Sequence, residues 1–129
     1  MDTDEKELNE LDAAAAAAVD GWTDVWVRKH DGGVYSGMPR KGLRRPVIGY
    51  SRDLRRATQL VRRAVRFHGA VQNDAHVNVV IENDEVTVTA WNPSTATAYN
   101  GVVERTDALP ELLVRAALHL VVKQSKGKK

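Results

Sequence analysis

The chain has 129 residues, of which 43% are hydrophobic, and a formal net charge of +2. This length suits one domain and this composition a globular protein, so an intrinsically disordered chain is excluded. Cysteine is absent, which excludes disulfides, thiolate metal sites and cysteine nucleophiles. No apolar run reaches the ~20 residues of a membrane-spanning helix, and the acidic N-terminus is unlike a signal peptide. We therefore expect one domain over residues 1–124, a flexible basic tail over 125–129, and a cytoplasmic location.

Charges are segregated along the chain. Residues 1–20 sum to −6, residues 28–68 to +10, residues 69–112 to −6 and residues 113–129 to +5. Such blocks can form a positive face that attracts anionic partners. Alternatively, the acidic and basic blocks neutralise each other within the fold or between subunits. Both interpretations stay open at the level of the sequence.

The first predicted element is a helix over residues 4–19. It has an alanine run of high helix propensity, acids in its first turns and Gly21 just after its end. Residues 22–27 alternate as a strand does, with the two tryptophans on one face, and residues 34–35 are expected to start a short return strand. Residues 37–46 are rich in glycine, proline and arginine, which predicts a long irregular loop.

The clearest pattern is an amphipathic helix that follows this loop. Ser51 is its predicted N-cap and Asp53 lies in its first turn. Apolar residues repeat at helical spacing along one stripe, and arginines cover the opposite face. The predicted apolar stripe consists of Leu54, Ala57, Val61, Ala64, Val65 and His68.

A β-hairpin is predicted next, with strands over residues 77–81 and 86–91 and Asn83-Asp84 at its tip. The residues expected to face the core are Val77, Val79, Ile81, Val86, Val88 and Ala90. A further strand is predicted within residues 95–103. The last helix, over residues 108–123, is apolar almost all round, so it is expected to be buried on more than one side or to lie in a subunit contact.

The order and short spacing of these elements favour antiparallel neighbouring strands covered by helices. We predict an α+β fold of the helix–sheet–helix type. It consists of three helices and a mainly antiparallel sheet of about four strands.

Three segments, residues 11–22, Tyr50–Leu54 and 106–118, share a pattern with one known family. They resemble, in order, the Leu-Asp, alanine-rich, Gly-Trp start, the Tyr-Ser-x-Asp helix start and the closing Thr-Ala-Pro…Arg-Ala-Ala-Leu helix of the phage ABA-sandwich proteins. Residues 37–46 have no counterpart, and Asp20 stands where the family has a hydrophobic or small residue. The resemblance implies a helix–sheet–helix sandwich of phage or prophage origin, and so the cytoplasm of a host cell. It implies no activity and no catalytic residues.

Patterns for catalysis or metal binding are weak. The four histidines lack metal-ligand spacing, and the acids of residues 82–85 supply too few oxygens for calcium. Neither a phosphate-binding glycine loop nor a local serine-nucleophile motif occurs. We expect no cofactor, no metal and no enzymatic activity.

The basic residues carry the functional predictions. Arginines of the loop lead to the start of the second helix, where guanidinium groups and free backbone N–H groups favour phosphate. Aromatic rings can stack on a base. The predicted ligand-binding residues are Trp22, Arg40, Arg44, Arg45, Tyr50, Ser51 and Arg52.

Two functions follow, of which the first is favoured. The chain is predicted to be a non-enzymatic phage accessory protein that binds a small phosphate-bearing ligand and sequesters a nucleotide signal of host defence. The alternative is an accessory protein whose arginine-rich helix contacts nucleic acid or an acidic host protein. The residues of that alternative are Arg55, Arg56, Arg62, Arg63 and Arg66. A homo-oligomer is compatible with both functions, and no membrane partner is expected. A third interpretation is that the basic face has no partner outside the chain and only pairs with the acidic N-terminal helix.

Overall fold

A computed structural model describes residues 5–27, 35–68, 76–82, 85–92, 97–103 and 108–121. Within these ranges the backbone forms three α-helices, one 3-10 turn and six strands. In chain order they are α1 (Glu5–Ala18), β1 (Thr23–Val27), β2 (Tyr35–Met38), β3 (Arg45–Pro46), the 3-10 turn (Tyr50–Arg52), α2 (Leu54–His68), β4 (His76–Glu82), β5 (Glu85–Asn92), β6 (Thr97–Val103) and α3 (Leu109–Val121).

The strands form two antiparallel sheets, β1-β2-β3 and β4-β5-β6. The predicted α+β class with antiparallel strands and three helices is confirmed, and the helix–sheet–helix arrangement holds in outline. The strand number differs, being six in the described residues instead of about four. Part of the difference lies within residues 37–46, which the sequence predicts to be a loop. There Gly37 pairs with Arg45, which adds β3 to the smaller sheet.

β1 is irregular where the sequence predicts simple alternation. Its register with β2 shifts between Thr23 and Trp26, and Asp24 has a φ of 52°. This is a bulge, and aspartate is one of the few residues besides glycine that adopt the left-handed region. The bulge separates the two tryptophans, so that Trp22 is buried and Trp26 is exposed.

The core surrounds α3, which contacts α1, α2, β5 and β6. Its buried residues are Pro110, Leu112, Leu113, Val114, Ala116, Ala117 and Leu120. The prediction that this helix is buried on more than one side is therefore confirmed. Fully buried alanines on the other two helices, Ala15 and Ala16 of α1 and Ala57 and Ala64 of α2, leave room for the helices to pack closely.

α2 begins two residues later than predicted, at Leu54. Asp53 is its N-cap, since Asp53 Oδ1 accepts a hydrogen bond of 3.1 Å from the backbone N–H of Arg56. The assignment of Ser51 as N-cap is wrong because Tyr50–Arg52 forms a separate 3-10 turn. A 3-10 turn before a helix contains the same residue types as a helix N-cap. The sequence alone therefore does not distinguish Ser51 in such a turn from Ser51 as the N-cap.

The buried stripe of α2 also differs from the predicted one. Ala57, Leu60 and Ala64 are fully buried, whereas Leu54 is exposed. Val61 and Val65, which the prediction placed in the core, are half-buried. The buried face is thus rotated toward Leu60, and the two valines lie at its border.

The β4–β5 hairpin pairs without interruption from His76↔Trp91 to Glu82↔Glu85. The β5 half of its core face is as predicted, because Val86, Val88 and Ala90 are fully buried. The prediction is wrong for Val79 and Ile81 of β4, which are exposed. α3 lies over β5 and β6, and the edge strand is left largely uncovered. The predicted hairpin tip, Asn83-Asp84, and the predicted tail, 125–129, lie outside the described residues.

Candidate functional site

Tyr50, a predicted ligand residue, is buried beside the end of α1. Its hydroxyl donates a hydrogen bond to Asp20, and Arg63 of α2 donates to the same carboxylate from Nε and Nη2 at 2.7 and 3.0 Å. Burial and the bond to Asp20 raise the pKa of Tyr50 far above its ordinary value, and the bond to Asp20 raises the pKa of Arg63. The Asp20 cluster, Asp20 with Tyr50 and Arg63, therefore holds a neutral phenol and a charged guanidinium at neutral pH.

Ser51 and Arg52 are bound to α1 in a similar way. The backbone N–H of Ser51 donates to Asp12 Oδ1 at 2.8 Å. Arg52 donates to Asn9 Oδ1 at 2.9 Å and lies 3.5 Å from the Asp12 carboxylate, whose side chain is 4% exposed. An anion at this turn would have to displace a buried carboxylate. The backbone N–H of Ser51 and the guanidinium group of Arg52 are thus engaged within the fold, whereas the buried hydroxyl of Ser51 makes no hydrogen bond among the described residues.

Arg44 of the predicted loop lies directly before β3 and contacts β1 and β2 of the smaller sheet. It donates to Ser36 Oγ at 3.0 Å and to the carbonyl oxygen of Asp24 at 2.9 Å. Its guanidinium carbon also lies 4.5 Å from the centre of the Trp26 ring, within the range of a cation–π interaction. One face of this tryptophan is therefore covered by an arginine.

The remaining predicted residues lie elsewhere. Arg45 is exposed on β3. The guanidinium group of Arg40 lies against Gly21, so close that a Cβ atom at position 21 would collide with it. Trp22 is buried next to Gly37. Arg40, Arg44 and the Tyr50–Arg52 turn thus each contact different residues, and Arg45 is exposed. The ligand site at this loop therefore stays a prediction.

A groove of about 780 Å³ lies between the C-terminal half of α2 and the start of β4. The described residues that line it are Gln59, Val61, Arg62, Arg63, Val65, Arg66, His76 and Val77. Its volume is typical of small-molecule sites. The three valines are half-buried and supply apolar surface, whereas the arginines supply donors that match phosphate and carboxylate groups.

Three of the five arginines predicted for the alternative function, contact with nucleic acid or an acidic protein, line the groove. Arg62, Arg63 and Arg66 line it, whereas Arg55 and Arg56 do not, although both are exposed on the same helix. Arg56 instead lies 4.0 Å from the carboxylate of Asp53.

Sequence reasoning missed the other lining residues. The sequence of α2 did carry a signal for two of them. Val61 and Val65 belong to the predicted apolar stripe, and each is followed directly by a lining arginine, so both valines lie where the apolar stripe meets the basic face. No local signal indicated Val77 or His76, because their place depends on how β4 lies relative to α2.

Two kinds of feature are absent from the described ranges, a metal-binding cluster and a membrane-spanning helix. No three histidine, cysteine, aspartate or glutamate side chains converge there in a way that would hold a metal ion. No helix among these residues has the length and hydropathy needed to cross a membrane.

Comparisons of the chain with protein-family models, with curated proteins and with solved structures found no match. The resemblance to the phage ABA-sandwich proteins therefore stays a prediction. The three segments behind it meet in the structure, because Asp12 and Asp20 bind the Tyr50–Arg52 turn and α3 contacts both this turn and α1.

Proposed function

We propose that this chain is a non-enzymatic binding protein whose groove between α2 and β4 receives a small phosphate-bearing ligand with an apolar part. The observation that carries the proposal is the lining of the groove, in which arginines alternate with half-buried valines on successive turns of α2. A nucleotide has both parts that such a lining suits. Its phosphate groups pair with guanidinium groups, and its base or sugar lies on the apolar surface.

The charge around the groove also supports an anionic ligand. Among the described residues that line it there are three arginines and one histidine, and none is acidic. Arg63 also pairs with Asp20, so the proposal assigns the ligand contacts to Arg62 and Arg66, which are exposed. Burial of part of a ligand against the valines strengthens these interactions, because the local dielectric constant falls.

In this proposal the protein acts in the cytoplasm of an infected host cell. Its role there is to sequester a nucleotide signal of host defence, in keeping with the resemblance to phage proteins. Sequestration needs affinity and slow release but no bond-making step. The groove therefore has to supply complementary charge and shape only.

The test is thermal unfolding of the whole chain with pyrophosphate, ATP and a cyclic dinucleotide as probes, each at about 1 mM. A ligand that binds only the folded state raises the unfolding midpoint. We expect such a rise with at least one probe. Arg62→Gln and Arg66→Gln should each weaken it, whereas Arg55→Gln, on the same helix but outside the groove, should preserve it. An unchanged midpoint with all three probes would contradict the proposal.

A second candidate, contact with nucleic acid, is favoured by the exposure of Arg55 beyond the groove. Arg55, Gln59, Arg62 and Arg66 are spaced to form one stripe along α2 that is ~16 Å long. Phosphate contacts along such a stripe weaken steeply with salt. Fluorescence anisotropy with a labelled DNA duplex distinguishes the candidates, since Arg55→Gln should then lower the affinity as much as Arg62→Gln does.

A further inference from the structure

β4 forms one edge of the larger sheet, and in the part of the chain that the structure describes no strand pairs with its outer side. Three consecutive apolar residues of this edge, Val79, Val80 and Ile81, are 43%, 50% and 59% exposed. Because successive residues alternate, they present apolar surface on both faces of the sheet.

This edge also lacks the usual protection against pairing. Proteins guard exposed edges with lysine, proline, bulges or inward-pointing charges. β4 contains neither lysine nor proline, and its ladder with β5 runs over seven residue pairs without a bulge. Among the described residues β4 is therefore free of bulges, apolar in its middle and open to a further strand.

We propose that β4 pairs with β4 of a second copy of this chain, which joins the two larger sheets into one antiparallel sheet of six strands. The pairing is isologous, with a two-fold axis perpendicular to the sheet. Directly opposed residues share a face of the sheet. The register centred on Val79 keeps the core faces on one side and pairs all seven residues from His76 to Glu82.

Charge complementarity supports this register. It places His76 opposite Glu82 of the second copy, and the symmetry repeats this pair at the other end of the strand. Within one chain Glu82 lies directly opposite Glu85, and like charges in this position destabilise a sheet. A histidine on the outer side of Glu82 offsets that repulsion, because a ring N–H can donate a hydrogen bond to the carboxylate. The two ends of β4 are thus complementary to each other.

The same arrangement covers the part of the core face that α3 leaves open. The groove shows that α2 lies beside the Val77 end of β4. Rotation about the two-fold axis brings the Val77 end of the second copy opposite Ile81. Both copies carry their helices on the same side of the joined sheet, so α2 of the second copy approaches Ile81 and Val79. Two residues that are exposed in one chain become buried in the pair.

Cross-linking tests the register, because the chain has no cysteine of its own. In Val79→Cys the two new side chains face each other across the axis, with Cβ atoms ~5 Å apart, within reach of a disulfide after a small adjustment. In the control Val80→Cys the two side chains are diagonal neighbours ~7–8 Å apart. We expect Val79→Cys to form a covalent dimer roughly tenfold faster than Val80→Cys under mild oxidation. Equal rates would overturn the register.

Light scattering tests the association itself. The unmodified chain is expected to show twice the single-chain mass of 14.3 kDa at concentrations of about 100 µM. Ile81→Lys should reduce the mass to that of one chain and leave the circular dichroism spectrum unchanged, because this side chain is exposed in the single chain. A single-chain mass at every concentration, or a dimer that persists in folded Ile81→Lys, would overturn the proposal. Neither experiment requires a ligand in the groove.

Discussion

The two sides of α2 use the same residue type in different ways. Arg63 lies at the border of the groove and points toward α1, where it makes two hydrogen bonds to Asp20. The same carboxylate accepts a hydrogen bond from the hydroxyl of the buried Tyr50. On the outer side, Arg62, the preceding residue, is exposed and lines the groove. A run of arginines is therefore not one functional unit, since the neighbouring element decides what each arginine does.

The energetic consequences of the two sides differ for a physical reason. Removing one member of a buried, hydrogen-bonded group leaves its partners unsatisfied, which costs more than the bond itself contributed. An exposed charge is screened by water and salt, so its removal changes stability little. The side toward α1 should therefore affect folding, and the outer side should affect binding.

The largest effect is expected where the side toward α1 is broken at its acid. Asp20→Asn weakens the hydrogen bonds to both Tyr50 and Arg63, and we expect a loss of about 3 kcal/mol in the free energy of unfolding, measured in urea. Asp24→Asn is the matched control, because the Asp24 side chain is exposed and its carboxylate lies 3.8 Å from Arg44. The control should change the free energy by less than about 0.5 kcal/mol. Similar losses in both variants would mean that the Asp20 cluster does not hold α1 to α2.

A smaller loss is expected when only the phenol is removed. Tyr50→Phe deletes the hydroxyl that donates to Asp20 and leaves the ion pair with Arg63 in place. We expect a loss of about 2 kcal/mol near neutral pH, since the hydrogen bond has a charged acceptor. Urea unfolding of the variant beside the unmodified chain measures it.

The pH dependence of the same pair sharpens this prediction. The pKa of Tyr50 is raised in the fold above its ordinary value of 10.0, so the folded state keeps the proton that the unfolded state releases. The contribution of the hydroxyl is complete below pH 10 and falls as the pH rises above it, by up to about 1.4 kcal/mol per pH unit. The difference between the unmodified chain and Tyr50→Phe should shrink above pH 10. A constant difference up to about pH 11 would show that the phenol is not held neutral by the fold.

Local patterns predicted the helices, the hairpin and the burial of α3, because helical spacing and strand alternation are properties of short segments. They failed where two elements far apart in sequence decide the outcome. The partner of Ser51 is Asp12, 39 residues away, and the partner of Tyr50 is Asp20, 30 residues away. Contact between the acidic and basic blocks is one of the two interpretations of the charge segregation, but the spacing along α2 does not indicate which arginines face α1.

The candidate site was predicted only in part, because it too depends on elements that are far apart in sequence. Arg62, Arg63 and Arg66 belonged to the alternative set, and they line the groove. The loop arginines precede a helix start, and this position alone predicts an anion site. The structure gives that start its own cap, Asp53, and binds the preceding turn to α1.

The most direct test of the division within α2 compares Arg62→Gln with Arg63→Gln in urea unfolding. The two positions are adjacent and the substitution is the same, so helix propensity and loss of charge are matched. We predict a loss of about 1.5 kcal/mol for Arg63→Gln, which leaves Asp20 with one partner fewer. For Arg62→Gln we predict a change of less than about 0.5 kcal/mol. Equal losses, or a larger loss for Arg62→Gln, would contradict the assignment of one side to folding and the other to binding.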